Sequence, residues 1–359
     1  MEKRILVGCD LHDKTMLLKF AKDRDAAQKR CFENSVDGRK AMLEMLRRLA
    51  GEAGGAKVVF AYEAAGQGFC LRDELEEAGL GCHVLAPTKI ARSVRHRSNK
   101  TDEKDAERIL EVLRGHYLAG NKLPDVWVPD KQTRDDRELV RARLDAQDKC
   151  SEAKTQVRMF MKRNGLVKPK TAGAGWTKAY RAWLQALSEC DAPLAFGARH
   201  NLASLLRQIQ ALESEIVTLD QAIAALAQTA RYSAAVARLT ELQGVGLIVA
   251  MVFLTEIGDT ARFKNRREIG AYLGLAPASY ETGETNDRKG HITHQGPSRV
   301  RYVLNQAVWN RVRFDPGEKV VYERIAARNP KHKKVAVVAA MRRLAIRMWH
   351  STVAVKSAG

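Results

Sequence analysis

The sequence of 359 residues has few features of a secreted or membrane-embedded protein. Its six cysteines are scattered and form no C-x-x-C pair, which argues against a zinc cluster or a disulfide framework and fits a reducing compartment. No uninterrupted apolar stretch reaches the roughly 18 residues of a membrane span. Residues 1–4 lead directly into a short predicted strand, and this apolar run is too short for a signal-peptide core. We therefore expect a cytoplasmic protein without a membrane partner.

Acidic residues are fewer than basic residues in this chain. The chain has 61 Lys and Arg against 42 Asp and Glu, which gives a formal net charge of +19. Because no basic low-complexity tail accounts for this excess, it indicates a polyanionic partner, and nucleic acid before a membrane surface. With 45% hydrophobic residues the chain can build substantial cores, and its length predicts two or three domains.

The pattern of residues 1–125 predicts an α/β domain. Pro124 and Pro129 mark its end. Strands and helices in alternation are typical of such layered domains. The predicted strands are 4–10, 16–21, 31–34, 57–63 and 83–86, and the predicted helices are 39–49, 66–78 and one that begins near 102.

Four acidic residues of this domain occupy positions that an α/β fold can bring close together. Asp10 and Glu63 each end a predicted strand, at the sheet edge where open α/β sheets place their sites. Asp102 and Asp105 open a helix on one of its faces. Since crowded carboxylates repel one another unless a cation lies among them, the set predicts an Mg²⁺ or Mn²⁺ site suited to phosphoryl transfer. The alternative is that these acids only cap turns and balance the helix dipole.

A basic run at 89–100 immediately precedes Asp102. It is suited to hold a phosphate backbone over the metal site, although a solvated basic loop would have the same composition. Its candidate nucleic-acid-binding residues are Arg92, Arg95, Arg97 and Lys100.

Residues 126–230 predict a helical coiled-coil region. A charged helix is predicted over 130–162, a loop over 168–175, and apolar residues recur at heptad spacing from Leu202 to Leu226. Three outcomes remain open for this stripe: an antiparallel pair with the 130–162 helix, a dimerisation coil, or burial inside a larger bundle.

Residues 231–359 predict a mostly helical domain. Gly244-Val245-Gly246 resembles the turn of a helix-hairpin-helix motif, whose backbone amides can face a phosphate. A predicted loop over 277–296 combines hydroxyl groups with cations. Residue types alone favour nucleic-acid contact there, with covalent attack on a phosphodiester as the alternative. The hydroxyl candidates are Ser279, Thr282, Thr285 and Thr293, beside Arg288, Lys289, His291 and His294.

Together these motifs resemble the insertion-sequence one-ten family of transposases, DEDD recombinases related to the Piv/MooV invertases. The resemblance spans nearly the whole chain, and only the middle helices are generic. It rests on Gly8-Cys9-Asp10, on Tyr62-Glu63-Ala64-Ala65-Gly66, on Lys100-Thr101-Asp102-Glu103-Lys104-Asp105-Ala106 and on the block from Leu242 to Gly296.

The resemblance implies a RuvC-like (RNase H-fold) N-terminal domain, a helical coiled-coil insert and a C-terminal transposase domain. Asp10, Glu63, Asp102 and Asp105 would hold Mg²⁺ or Mn²⁺. A serine of the C-terminal domain would attack DNA and form a covalent intermediate, with the two sites joined across subunits. The implied partners are element-end and target DNA, a non-coding guide RNA (the bridge RNA), and further copies of the chain in dimers or tetramers.

This sequence departs from the family at the attacking residue. The matching motif reads Tyr280-Glu281-Thr282-Gly283, so the resemblance assigns the nucleophile to Thr282, with Ser279 as the reserve. Arg288, Lys289 and His291 would hold the scissile phosphate. Two other functions remain: a metal-dependent RuvC-like nuclease that uses water, and a non-catalytic nucleic-acid binder whose acids are structural.

Overall fold

The computed structural model describes residues 3–90, 101–190, 193–279, 289–328 and 330–357. The chain divides into two compact units, Met1–Val128 and Pro129–Gly359. The first unit is mixed α/β around a central sheet and the second is mostly helical, which confirms the predicted class of each part. Within the described residues, no helix combines the length and apolar character needed to cross a membrane.

The central sheet combines antiparallel and parallel strands. Among the described residues of the first unit, its strand order is β3-β2-β1-β4-β5. The central strand β1 runs antiparallel to β2 and parallel to β4, so the carboxyl ends of β1 and β4 share one edge. The strands are β1 (Arg4–Leu11), β2 (Thr15–Lys22), β3 (Gln28–Glu33), β4 (Lys57–Glu63) and β5 (Gly81–Leu85).

Helices cover both faces of this sheet. Alternate side chains of a strand point to opposite faces, so β1 and β4 are buried on both sides. Met42 of α1 and Leu75 of α2 pack in the core on one face, and Leu110 of α3 packs in the core on the other. The three helices are α1 (Val36–Glu52), α2 (Cys70–Glu77) and α3 (Asp102–Ala119).

The second unit is built from a long helical hairpin and a helical core. Its helices are α4 (Lys131–Arg163), α5 (Lys178–Glu189), α6 (Phe196–Ala227), α7 (Ser233–Thr240), α8 (Leu247–Ile257), α9 (Arg266–Tyr272), α10 (Ser298–Phe314), α11 (Pro316–Arg328) and α12 (Lys334–Ser357).

Helices α4 and α6 pack side by side in antiparallel directions. Leu144, in the first half of α4, shares a core with Ile223 near the end of α6. Phe160, near the end of α4, shares another core with Leu202 near the start of α6. The apolar stripe of α6 therefore faces α4 along the hairpin, and α5 packs at the end where α4 finishes.

Helix α8 lies at the centre of the other core and is buried along most of its length. Its one acidic residue, Glu256, is 5% exposed and accepts two hydrogen bonds from Arg141 of α4, at 2.7 and 3.0 Å. The Nε of Arg137 donates to the Thr255 carbonyl at 3.0 Å. These guanidinium groups fix the base of the long hairpin to α8, because a buried carboxylate needs charged partners.

The predicted loop over 277–296 contains a short hairpin. Strand β6 (Pro277–Ser279) pairs antiparallel with β7 (Lys289–Ile292). The prediction of a loop was therefore wrong for residues 277–279 and 289–292. These strands are too short to produce a recognisable alternation of polar and apolar residues.

Candidate functional site

The register of the sheet brings two of the predicted acids together. Cys9 of β1 pairs with Tyr62 of β4, so Asp10 and Glu63 are the next residues along the two parallel strands. Both strands present these acids on the face covered by α3, where strand neighbours lie about 4.8 Å apart. The carboxyl edge of the sheet thus carries Asp10 and Glu63 side by side.

A glycine brings α3 close to this edge. A Cβ built on Gly8 would lie 2.3 Å from the carbonyl oxygen of Ala106 and 2.4 Å from the amide nitrogen of Leu110. The backbone of α3 therefore rests directly on β1, two residues before Asp10, and only glycine allows this approach. Since Asp102 and Asp105 lie in the first turn of α3, the same contact carries them to the sheet edge.

The first turn of α3 is also fixed from its sides. The hydroxyl of Thr101 caps the helix by accepting from the Lys104 amide at 3.4 Å. Glu103 bridges to two strands, with Lys19 of β2 at 2.7 Å and Lys29 of β3 at 2.6 Å. These hydrogen bonds, first from Lys19 and then from Lys29, lower the pKa of Glu103 to about 2. Glu103 therefore anchors the helix and keeps its charge.

Among the described residues, Asp10, His12 and Asp102 form a cluster of potential metal ligands at this edge. Their potential ligand atoms all lie within 4.8 Å of one another. The Nε2 of His12 is 3.0 Å from an Asp10 carboxylate oxygen and 3.5 Å from one of Asp102. The Asp10 side chain is 17% exposed, whereas that of Asp102 is 58% exposed. The group is thus open to solvent on the Asp102 side.

The pKa of Asp10 is raised, chiefly by burial. Burial raises it, and the charges of Asp102 and Asp105 raise it further, which outweighs the lowering effect of His12. Asp105 itself is buried and accepts a hydrogen bond from Arg108 at 2.8 Å. The structure thus places three of the four predicted acids within electrostatic reach of one another.

This donor set fits a hard divalent cation. A carboxylate whose pKa is raised by neighbouring carboxylates is stabilised when a cation lies among them. Oxygen ligands from Asp10, Asp102, Asp105 and Glu63 suit Mg²⁺, and a nearby imidazole is tolerated better by Mn²⁺. His12 was not among the predicted site residues, although its position two residues beyond Asp10 places it on the same face and signals their contact, but not the contact with Asp102.

The predicted phosphate-binding run falls outside the described residues. Arg92, Arg95, Arg97 and Lys100 belong to residues 91–100, and their role stays a prediction.

The predicted nucleophile segment lies between β6 and β7. Thr282 and Arg288 belong to residues 280–288, which are outside the described part of the chain. The reserve candidate Ser279 is the last residue of β6, and Lys289 is the first of β7. His291 lies in β7 and is exposed.

The base of this hairpin is fixed by Arg301 of α10. Its guanidinium donates to the carbonyl of Gln295 at 2.7 Å and to those of Leu273 and His294 at 3.1 Å each. The chain crosses closely here, since a Cβ on Gly296 would lie 1.8 Å from the carbonyl oxygen of Tyr272. Arg301 therefore holds together the two ends of residues 277–296, which we call the hydroxyl-bearing segment.

Two family models match the chain. The model described as the transposase IS116/IS110/IS902 family matches residues 236–323. A transposase model named for a DEDD motif and IS110 matches residues 7–164. The second range includes all four predicted acids, and the first includes the hydroxyl-bearing segment.

Curated relatives point the same way. A putative transposase, y4qE, of Sinorhizobium fredii is 36% identical over 74% of this chain, and the match spans 62% of that relative's length. A probable family 20 transposase of Pseudomonas aeruginosa is 28% identical, with 68% of each chain covered. The transposase for insertion sequence element IS1533 of Leptospira borgpetersenii is 21% identical over 90% of both chains.

Proposed function

Because the chain belongs to the IS110 family of DEDD transposases, we propose that it cuts and rejoins DNA at the ends of an insertion sequence. The observation that carries this proposal is the meeting of Asp10, His12 and Asp102 at the carboxyl edge of the sheet. Such a cluster, next to Glu63 and Asp105, suits phosphoryl transfer, and the excess of basic residues suits a DNA substrate. We assign the first unit to the RuvC-like fold, which its strand order supports.

Asp10, Glu63, Asp102 and Asp105 would hold Mg²⁺ or Mn²⁺. A bound divalent cation supplies Lewis-acid activation and offsets negative charge on the reacting phosphate. The protein itself fixes the ligands: Gly8 lets α3 approach, Glu103 anchors its first turn, and Arg108 orients Asp105.

Thr282 is the proposed nucleophile. Its hydroxyl oxygen forms a bond to the scissile phosphorus while the bond from phosphorus to the leaving DNA oxygen breaks. The proton lost by the hydroxyl ends on the leaving strand, so no water is consumed and the phosphothreonine linkage remains reversible. A hydroxyl of a second strand reverses the step and rejoins DNA. Arg288, Lys289 and His291 would hold the phosphate.

We infer the partners of the proposed reaction from the resemblance to the family. A guide RNA would select the donor and target DNA by base pairing, which leaves the protein to contact backbones. Dimers or tetramers, with the α4–α6 hairpin as a coiled coil, would join the acidic site of one subunit to Thr282 of another.

A covalent-trapping assay tests this function. Purified protein, Mg²⁺, guide RNA and labelled element-end DNA are resolved on a denaturing gel beside Thr282→Ala, Ser279→Ala and Asp102→Asn. We expect a protein–DNA band that is lost with Thr282→Ala and Asp102→Asn and kept with Ser279→Ala.

Other outcomes of the same assay separate the alternatives. Loss of the band with Ser279→Ala alone would transfer the nucleophile to Ser279. Cleaved DNA without an adduct in any lane would leave a metal-dependent nuclease. Cleavage that persists with Asp102→Asn and without divalent metal would overturn the assignment of the acidic site.

A further inference from the structure

Basic and acidic residues are unevenly distributed along the two helices of the long hairpin, α4 and α6. In α4, residues 131–152 carry six cations and six acids, whereas residues 153–163 carry four cations and no acid. In α6 the cations lie in the first half, which is the end that packs against the finish of α4, and the acids lie in the second half. One end of the hairpin is therefore basic and the other is mixed or acidic.

The basic end extends through the chain that joins α4 to α5. Between residues 153 and 188, eight residues are Lys or Arg and none is Asp or Glu. The nearest carboxylate on α6, Glu213, is shared by Lys154 at 2.7 Å and Arg181. Partial burial raises the pKa of Glu213, but hydrogen bonds from Arg181 and Lys154 outweigh this and lower it. One anion thus neutralises only part of the local positive charge.

Five exposed cations at this end contact no carboxylate among the described residues. We call them the tip surface: Arg158, Lys162, Arg163, Lys170 and Lys178. Unpaired cations gathered at one end of a hairpin repel one another unless a polyanion neutralises them. The core beneath these cations is apolar, so they have no partner in it and do not stabilise the fold through it.

The aromatic side chains beneath the tip surface are already engaged. Tyr180 is 6% exposed and its ring stacks on Trp183 and meets Trp176 edge-on. The ammonium of Lys168 lies 4.1 Å from the centre of the Tyr180 ring. Binding of unpaired bases requires open ring faces, whereas a duplex backbone requires only cations. Phe196, at the start of α6, is 71% exposed, but its ring already lies against that of His200 with 4.0 Å between the centroids, so the arrangement favours a duplex.

We propose that the tip surface, at the end of the α4–α6 hairpin opposite to the end that contacts α8, binds the phosphate backbone of double-stranded DNA. This inference rests on the proposed function only in that it takes DNA as the substrate. The tip surface would position the duplex and contribute no sequence preference, because it offers charges and no groups directed at base edges.

Salt-dependent binding tests the proposal. The full-length chain carries Asp102→Asn and the buffer contains EDTA, so DNA is bound without being cut. Affinity for a labelled DNA duplex is measured over a salt series for this protein and for a triple variant, Arg163→Gln/Lys170→Gln/Lys178→Gln. Each lost phosphate contact reduces the slope of log K against log salt by about 0.9, which is roughly fivefold in affinity at 0.15 M salt. We expect the slope to fall by about 2 to 3 and the affinity by at least tenfold.

A matched control separates local contact from total charge. Lys40→Gln/Arg47→Gln/Arg48→Gln removes the same charge from α1, where Asp37, Glu44 and Glu52 balance the cations. This control should keep the slope and lose less than about twofold in affinity, because three acids of the same helix offset its cations and Glu52 pairs with Arg48 at 3.6 Å. Thermal unfolding of both triple variants confirms that the fold is kept.

Three results would overturn the proposal. The first is equal slopes for the tip variant and its parent, and the second is equal losses for the tip variant and the control. The third is a loss confined to single-stranded or structured RNA, measured in parallel, which would make the tip surface an RNA site. Failure of the proposed function looks different, since duplex DNA would be bound normally but not cut when Mg²⁺ and Asp102 are restored.

Discussion

Replacing Gly8 by alanine tests how the acidic site is assembled. The new Cβ would lie 2.3 Å from the Ala106 carbonyl oxygen and 2.4 Å from the Leu110 amide nitrogen, and both are backbone atoms of α3. No side-chain rotation relieves such a contact, so α3 must retreat from β1 by about 1 Å to restore ordinary van der Waals separation. The helix carries Asp102 and Asp105 with it.

The expected cost of Gly8→Ala follows from overpacking. Forcing extra atoms into a close-packed core costs about 1 to 3 kcal/mol, and a clash with backbone places this variant near about 3 kcal/mol. For a unit of this size, each kcal/mol lowers the unfolding midpoint by roughly 4 °C, so a fall of about 10 °C is expected. A 1 Å displacement of catalytic groups also lowers the reaction rate by about a hundredfold. The rate of DNA cleavage by Gly8→Ala measures this loss.

Gly51→Ala is the matched control. Gly51 lies in α1, and a Cβ there would meet nothing within 4 Å. Alanine in a helix should be neutral or stabilising by up to about 1 kcal/mol, with cleavage unchanged. An unfolding temperature and a DNA-cutting rate of Gly8→Ala equal to those of the parent would show that α3 does not need its close approach to β1.

Three further perturbations test other parts of the fold. Glu256→Gln leaves the Arg141 guanidinium without its anion and should cost about 2 to 3 kcal/mol in calorimetric unfolding, since Arg141 keeps some access to water. The pKa of Glu103 is held at about 2 by Lys19, so its contribution to stability is present above the ordinary pKa of 4.5 and is lost as the pH falls toward 2. Glu103→Gln should therefore flatten the pH dependence of the unfolding midpoint within that window, and an unchanged curve would contradict the anchoring role. Arg301→Ala removes several charged hydrogen bonds to backbone carbonyls and should cost about 2 to 3 kcal/mol, with reduced adduct formation but unchanged Mn²⁺ binding.

Much of the first unit was predictable because its signals are local. Buried strands appear as short apolar runs, and their terminal acids, Asp10 and Glu63, mark the edge where parallel strands end. The helix that carries Asp102 and Asp105 begins with a capping Thr101, which the sequence also signals.

What escaped prediction depends on packing or on weak signals. The contact of His12 with Asp102 exists only because α3 lies on β1, which no local pattern reports. Strands β6 and β7 are too short for alternation to be visible. Helix α5 has a capping Thr177 and apolar residues at Tyr180, Leu184 and Leu187, so its period was available in the sequence.

Direct binding of Mn²⁺ is the measurement that tests the central claim. The metal-free, full-length protein is titrated with Mn²⁺, and the free ion is followed by electron paramagnetic resonance for the parent, Asp10→Asn and Asp102→Asn. We expect saturable binding by the parent, and we expect either substitution to weaken it by about tenfold or more, the loss typical for a disturbed metal site. Equal binding by all three proteins would show that the acids at the sheet edge do not form the metal centre.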